Sequence, residues 1–224
     1  MNKLRLILLM LLIGSSLLTM NAQEREFMLG VRGGYNAAFG GFGAVSLETT
    51  QTIGKNFSIN GGLQYNTIGK TSLEARPAYD IPFEWGKLSV ESILTYNRLT
   101  SINNFTAGLG AAVDYRFISA KLGYYYRLYG GNGDTISEPF NLYYELCAHC
   151  LKNIEKWDFD LIVTNCEIFE LERHYQPSFI AEGRYYPTSR LGIAFGIGYK
   201  PSGIFHISAD YYQSYLKTGL CYRW

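Results

Sequence analysis

Two short clusters carry residue types that could do chemistry. His206-Ile207-Ser208 sets a base and a hydroxyl two positions apart. On a strand such residues share a face, so the imidazole could take the serine proton and activate the oxygen. A third polar group must then orient the histidine, and Asp210 is the carboxylate near the pair. The second cluster is Cys147-Ala148-His149-Cys150. Thiolate and imidazole are zinc ligands, and a site needs four donors or three with a water. Cys147, His149 and Cys150 would need help from a residue such as Cys166 or His174. On an extended strand residues three apart point to opposite faces, so this site requires a turn near Ala148-His149. Free or locally paired cysteines are therefore expected, and no metal. A third stretch, Glu167 to His174, holds Glu167, Glu170, Glu172, Arg173 and His174. It reads as a solvated hairpin rim that projects outward, where a cation or a surface partner could bind. No P-loop, HExxH or Gly-x-Ser-x-Gly motif is present.

These clusters sit in an unusual chain. Of 224 residues, 17% are charged and 16% aromatic, with 19 Tyr and 24 Gly. Soluble domains carry roughly 25% charged residues and about 7% Gly. A formal net charge of +1 excludes a nucleic-acid binder that works through a basic surface. An apolar share of 47% excludes a disordered chain.

The first residues read as an address. Lys3 and Arg5 precede the apolar run Leu6 to Ile13, and Ala22 is a small residue at a cleavage point. Residues 1–22 are expected to be a signal peptide and 23–224 the mature domain. Without Lys3 and Arg5, 18 basic residues face 19 acidic ones, a net −1. No later apolar run could span a bilayer as a helix. The compartment beyond the signal is oxidising, so disulfides are permitted.

The mature chain has period two. In 104–117, Phe105, Ala107, Leu109, Val113 and Tyr115 alternate with Thr106, Gly108, Gly110 and Asp114. The same pattern recurs around 27–35, 45–53, 57–65, 79–85, 88–96, 118–129, 140–146, 157–164, 179–185, 191–199 and 216–224. One face is almost free of charge. The other carries Arg32, Asp114, Arg116, Lys121, Arg127, Glu182, Arg184 and Arg223, among others. Apolar segments end in aromatics such as Tyr65, Trp85, Tyr96, Phe117, Trp157, Tyr185 and Tyr199, as an interfacial girdle would. A soluble sandwich needs no such girdle, and a sheet in lipid must close because an open edge cannot be hydrated.

The expected fold is all-β: a closed antiparallel up-and-down transmembrane barrel of about 12 strands, with 10 or 14 as alternatives. Tight turns are expected at Gly54-Lys55-Asn56, Trp85-Gly86-Lys87, Phe117-Ile118 and Pro187-Thr188-Ser189. Longer loops are expected on the other side, at 37–41, 68–72, 99–103 and 130–138. The segment 200–213 can be read as loop or as added strand. The charged face would line the lumen with mixed signs, and inward Tyr125, Tyr129, Tyr143 and Tyr186 would take up volume. The lumen should then be filled or narrow.

At these residues the chain resembles small outer-membrane β-barrel proteins of the OmpA/OmpX-like or porin-like kind, of Bacteroidetes type. The likeness rests on the Asn21-Ala22-Gln23 signal end, the Gly-rich alternating strands, Tyr185-Tyr186-Pro187 before a turn, and the last strand Gly219-Leu220-Cys221-Tyr222-Arg223-Trp224. The resemblance implies residence in the cell outer membrane and insertion by the barrel-assembly machinery, with Tyr222 and Trp224 as its signal. That group usually ends in Phe, so Trp224 departs from it. His206 and Ser208 also resemble the His-x-Ser pair of outer-membrane phospholipases and lipid A deacylases. Those families add a third polar residue about a dozen positions on, where this chain has Leu220, with Thr218 nearby.

The expectation is a non-enzymatic, monomeric barrel without cofactor. Its partners would be outer-membrane lipid, the assembly machinery and an unidentified extracellular ligand, with no nucleic acid. It would act through its loops or as a structural component of the membrane. A narrow porin-like channel for small solutes is the first alternative. A lipid hydrolase using His206 and Ser208 is the second.

Overall fold

A computed structural model describes residues 22–37, 40–99, 102–131, 134–154, 156–171, 176–201 and 213–223. Twelve long strands form the wall. They are β1 (Ala22–Asn36), β2 (Gly40–Ile53), β3 (Phe57–Asn66), β4 (Lys70–Phe83), β5 (Gly86–Leu99), β6 (Ile102–Tyr115), β7 (Ile118–Gly131), β8 (Asp134–Ile154), β9 (Trp157–Thr164), β12 (Ser178–Tyr185), β13 (Leu191–Lys200) and β14 (Gln213–Arg223), with two short strands, β10 (Cys166–Glu167) and β11 (Glu170–Leu171), between β9 and β12. Each wall strand pairs antiparallel with its chain neighbours, and β9 pairs with β12. The sheet closes where β1 meets β14, from Glu26↔Arg223 to Asn36↔Gln213. It is the up-and-down barrel that the alternation predicts, with its strand number.

The faces are inverted relative to a soluble protein. Leu216 and Leu220 point outward and are each 65% exposed, while Arg32 and Glu74 point inward at 6% and 3%. In water that arrangement would expose a continuous apolar belt; in lipid it buries the belt and leaves charge in the polar interior. Aromatics cap the belt at both heights. Tyr35, Tyr65, Tyr96 and Tyr199 are exposed near the ends that face the longer connections, and Trp85, Phe117 and Trp157 near the tight turns. Trp85 packs edge-on against Tyr115, with ring centroids 5.1 Å apart, and Trp157 lies 4.5 Å from Tyr185. Tyr222 lies on the same outer face; Trp224 is outside the described residues.

The connections correct part of the expectation. The ladders run on through most of the segments expected to be longer loops. Asn36 pairs with Gly40, Leu99 with Ile102 and Gly131 with Asp134. β8 reaches 21 residues, about twice what a tilted span needs. Continued pairing satisfies backbone groups that an open loop would leave to water. The β3–β4 turn stays tight because the Asn66 side chain accepts from the Lys70 amide at 2.8 Å and Gly69 adopts φ +83°. At the opposite end the turns are Gly54–Asn56, Glu84–Trp85, Arg116–Phe117 and 187–190. Two of them begin one residue earlier than expected, since Phe83 pairs with Gly86 and Tyr115 with Ile118. This tight-turn end also holds the outer ends of β1 and β14, as the periplasmic end of an outer-membrane barrel does.

Small residues make room for large ones inside. A Cβ at Gly110 or Gly123 would collide with the Tyr143 side chain, and one at Gly198 with Tyr215. Tyr125 and Tyr143 pack with Ile93 and Cys166 in one buried cluster. Met28, Tyr186, Ala194 and Cys221 form another near the tight turns.

Candidate functional site

The wall stops being regular after Thr164. There Asn165 takes the place of a strand partner: its side chain accepts from the Tyr144 amide at 2.7 Å and donates to the Leu142 carbonyl at 3.0 Å. Thr164 donates to the Tyr144 carbonyl and accepts from the Cys166 amide, each at 2.9 Å. With the edge of β8 satisfied, the chain can leave the sheet. It turns into the lumen as the β10–β11 hairpin, in which Cys166 pairs with Leu171 and Glu167 with Glu170.

Glu167 is expected on a rim that projects outward. The structure reverses this: Cys166 is fully buried and Phe169 nearly so. The hairpin reaches β4, which stands five strands round the wall from β9. Arg76 on β4 donates to the Cys166 carbonyl at 2.6 Å. Glu74 accepts from the Phe169 amide at 2.7 Å and forms an ion pair with Arg76. Lys70 donates to the Phe169 carbonyl at 3.3 Å. On the other flank Arg32 forms an ion pair with Glu167 at 3.3 Å, and Tyr215 donates to Glu167 at 2.7 Å. The Arg32 guanidinium lies 3.3 Å over the Tyr215 ring. Gly62 clears the path of Phe169, whose Cζ would be 2.9 Å from a Cβ there. Phe169 itself has φ +67°, a conformation held only where the surroundings over-determine it. β10 crosses the lumen rather than the bilayer, and burial pushes the Cys166 thiol up to about 11, with the Glu145 charge adding to it. Cys166 is therefore a packed thiol, not a reactive thiolate.

Beneath the hairpin the wall carries linked charges. Lys121 bridges Glu91 at 3.3 Å and Glu145 at 3.6 Å. Lys217 lies 3.5 Å from Glu48 and 3.9 Å from Glu182. Arg184 joins Glu182 at 3.2 Å to Glu26 at 3.0 Å. Arg223 pairs with Glu26 and lies 3.7 Å over the Tyr186 ring. Nearer the longer connections, Arg127, buried, donates to Thr106 at 3.1 Å. Asp114 is half-buried on the inner face. Arg116 departs from the expected lumen set. It is exposed in the β6–β7 turn with φ +52°, because Tyr115 and Ile118 close the ladder on either side of it.

Glu74 and Arg76 fall between the loop expected at 68–72 and the alternation expected at 79–85, in a stretch assigned to neither. Yet Leu73 and Ala75 alternate with Ser72, Glu74 and Arg76, which is the signal that could have found them. Pro77 has no N–H to give, and the β4–β5 ladder skips from Ala75↔Leu94 to Ala78↔Glu91.

His206, Ser208 and Asp210 lie outside the described residues, as does His174. The strand β8 continues through Ala148-His149 without the turn that a Cys147-His149-Cys150 site requires. Cys147 and His149 face inward, and Cys150 is exposed on the opposite side. Cys147, Cys150, Cys166 and Cys221 are all free thiols. In place of Cys150, Asp160 meets His149 from β9, with 2.7 Å between Oδ1 and Nδ1.

No protein-family model matches the chain, and no curated protein matches its sequence. Solved structures do resemble it. The translocator domain of the autotransporter NalP from Neisseria meningitidis aligns with TM-score 0.58 at 13% identity, over 94% of this chain and 92% of that one. The NanC porin aligns with TM-score 0.56 at 12% identity, over 87% and 98%. An outer-membrane channel from Pseudomonas putida F1 aligns with TM-score 0.56 at 9% identity, over 92% and 97%. At such identities the likeness is one of fold. Joined to the outward apolar belt and its aromatic caps, that fold makes the chain an integral outer-membrane β-barrel of porin-like architecture.

Proposed function

We propose that the barrel is a narrow channel for small polar solutes, with the β10–β11 hairpin as its constriction. One observation carries this reading: a segment of the chain leaves the wall, crosses the lumen and is held on the far side by charged and hydrogen-bonding side chains. A barrel that served only as an anchor could fill its lumen from the wall. Here charged pairs line the interior below the hairpin, and mixed signs favour small polar or zwitterionic solutes over one sign of ion. The porin and channel architecture of similar barrels supports this reading over one in which the barrel acts only through its loops.

The same proposal takes residues 1–22 as a cleaved signal and the aromatic last strand as the mark read by the assembly machinery. It assigns no enzymatic step. Planar-bilayer recording of the purified protein tests the channel. Small, discrete, reproducible steps are expected. A silent wild type that stays silent when the hairpin is excised would return the barrel to a structural or loop-mediated role.

A further inference from the structure

We infer that Cys147, His149 and Asp160 form a divalent transition-metal site, suited to zinc, on the inner wall at the periplasmic mouth. Three donor types converge there. Cys147 and His149 are two apart on β8 and so share the inward face. His149 and Asp160 are register partners across β8 and β9. Sγ of Cys147 lies 3.7 Å from Nδ1 of His149, and one donor atom from each of the three residues lies within 4.8 Å of the others.

Zinc bonds of about 2.3 Å to sulfur and about 2.0–2.2 Å to nitrogen and oxygen put neighbouring tetrahedral donors roughly 3.3–3.7 Å apart. The sulfur–nitrogen separation already fits. The His149–Asp160 contact is a hydrogen bond, and it must open by about half an ångström when the metal replaces the shared proton. The His149 backbone is fixed, since its amide donates to the Phe117 carbonyl at 2.8 Å. That bond also places the site level with the β6–β7 turn. Entry from water is open: the side chains of Asp160 and His149 are 34% and 16% exposed. With three protein donors, the fourth position falls to water, the arrangement of an open rather than a closed zinc site. Cys150, the residue that motif spacing would recruit, points away and has no part.

The test uses the full barrel in detergent with a non-chelating reductant, with heat-modifiable gel mobility confirming that each variant is folded. Zn²⁺ alone is titrated by calorimetry, and Co²⁺ is the spectroscopic probe of thiolate ligation. The expected result is stoichiometric binding with a near-ultraviolet sulfur-to-cobalt band. Cys147→Ser should abolish that band. Asp160→Asn, which keeps size and a hydrogen bond, and His149→Ala should each weaken Zn²⁺ binding by about tenfold or more. Cys150→Ser and Cys221→Ser should change neither readout. Absence of binding to the folded wild type, or loss of the band in Cys150→Ser but not Cys147→Ser, would overturn the assignment.

Discussion

The two halves of the lumen are narrowed by different means. Toward the longer connections the space is taken by inserted chain: the β10–β11 hairpin, gripped by Arg32, Glu74, Arg76 and Tyr215. Toward the tight turns it is taken by the wall's own side chains. There Met28, Tyr186, Ala194 and Cys221 pack together, and Glu26 collects Arg184 and Arg223. The first filling depends on the wall for its position, but the wall's ladders do not run through it. The second cannot be removed without changing the wall. A constriction that must be tuned belongs in the first kind, and a lining that must hold its shape belongs in the second.

Removing the hairpin should break the contrast most. Replacing residues 166–171 by a short Gly-Ser link should leave the heat-modifiable gel shift intact and raise single-channel conductance several-fold. Loss of the shift would show instead that the hairpin holds the wall together. Next is Glu74→Ala, which leaves Arg76 buried without its carboxylate and removes the acceptor for the Phe169 amide. Breaking one side of a buried pair costs about 3–5 kcal/mol. The expected outcome is a lower unfolding midpoint in denaturant and frequent flickering to larger conductance.

Gly123→Ala bears on the packing between the halves, because its Cβ would strike Tyr143. Overpacking of this kind costs about 1–3 kcal/mol and should appear as a lower thermal midpoint, with modest change in conductance. The smallest effect is expected for Arg223→Lys at the mouth. It keeps charge near Glu26 but gives up the guanidinium's place over Tyr186, worth about 0.5–2 kcal/mol. Stability should fall slightly and conductance stay the same. A conductance change as large as that of Glu74→Ala would erase the distinction between the two halves.

Much of this architecture is legible in the sequence. Phe105 to Tyr115 shows which residues face lipid, because side chains alternate strictly along a strand and lipid excludes charge from one side. Arg32, Lys121, Arg127 and Glu182 read inward on the same ground. The period falters where a residue ends a ladder or interrupts one. Arg116 keeps the parity of an inward residue but sits in a turn, and the expected loop at 68–72 cuts into the strand that carries Glu74 and Arg76. The segments around Gly40 and Gly131 look like loops by composition, yet pair as strand.

The strands, their faces and the apolar belt follow from neighbours one and two positions apart in the chain. It took the folded barrel to bring Glu167 inward to Arg32, 135 positions away, and to set Asp160 rather than Cys150 beside Cys147 and His149. Those meetings depend on closure and on strand register, which set what stands at the same height across the lumen. No local pattern records that height.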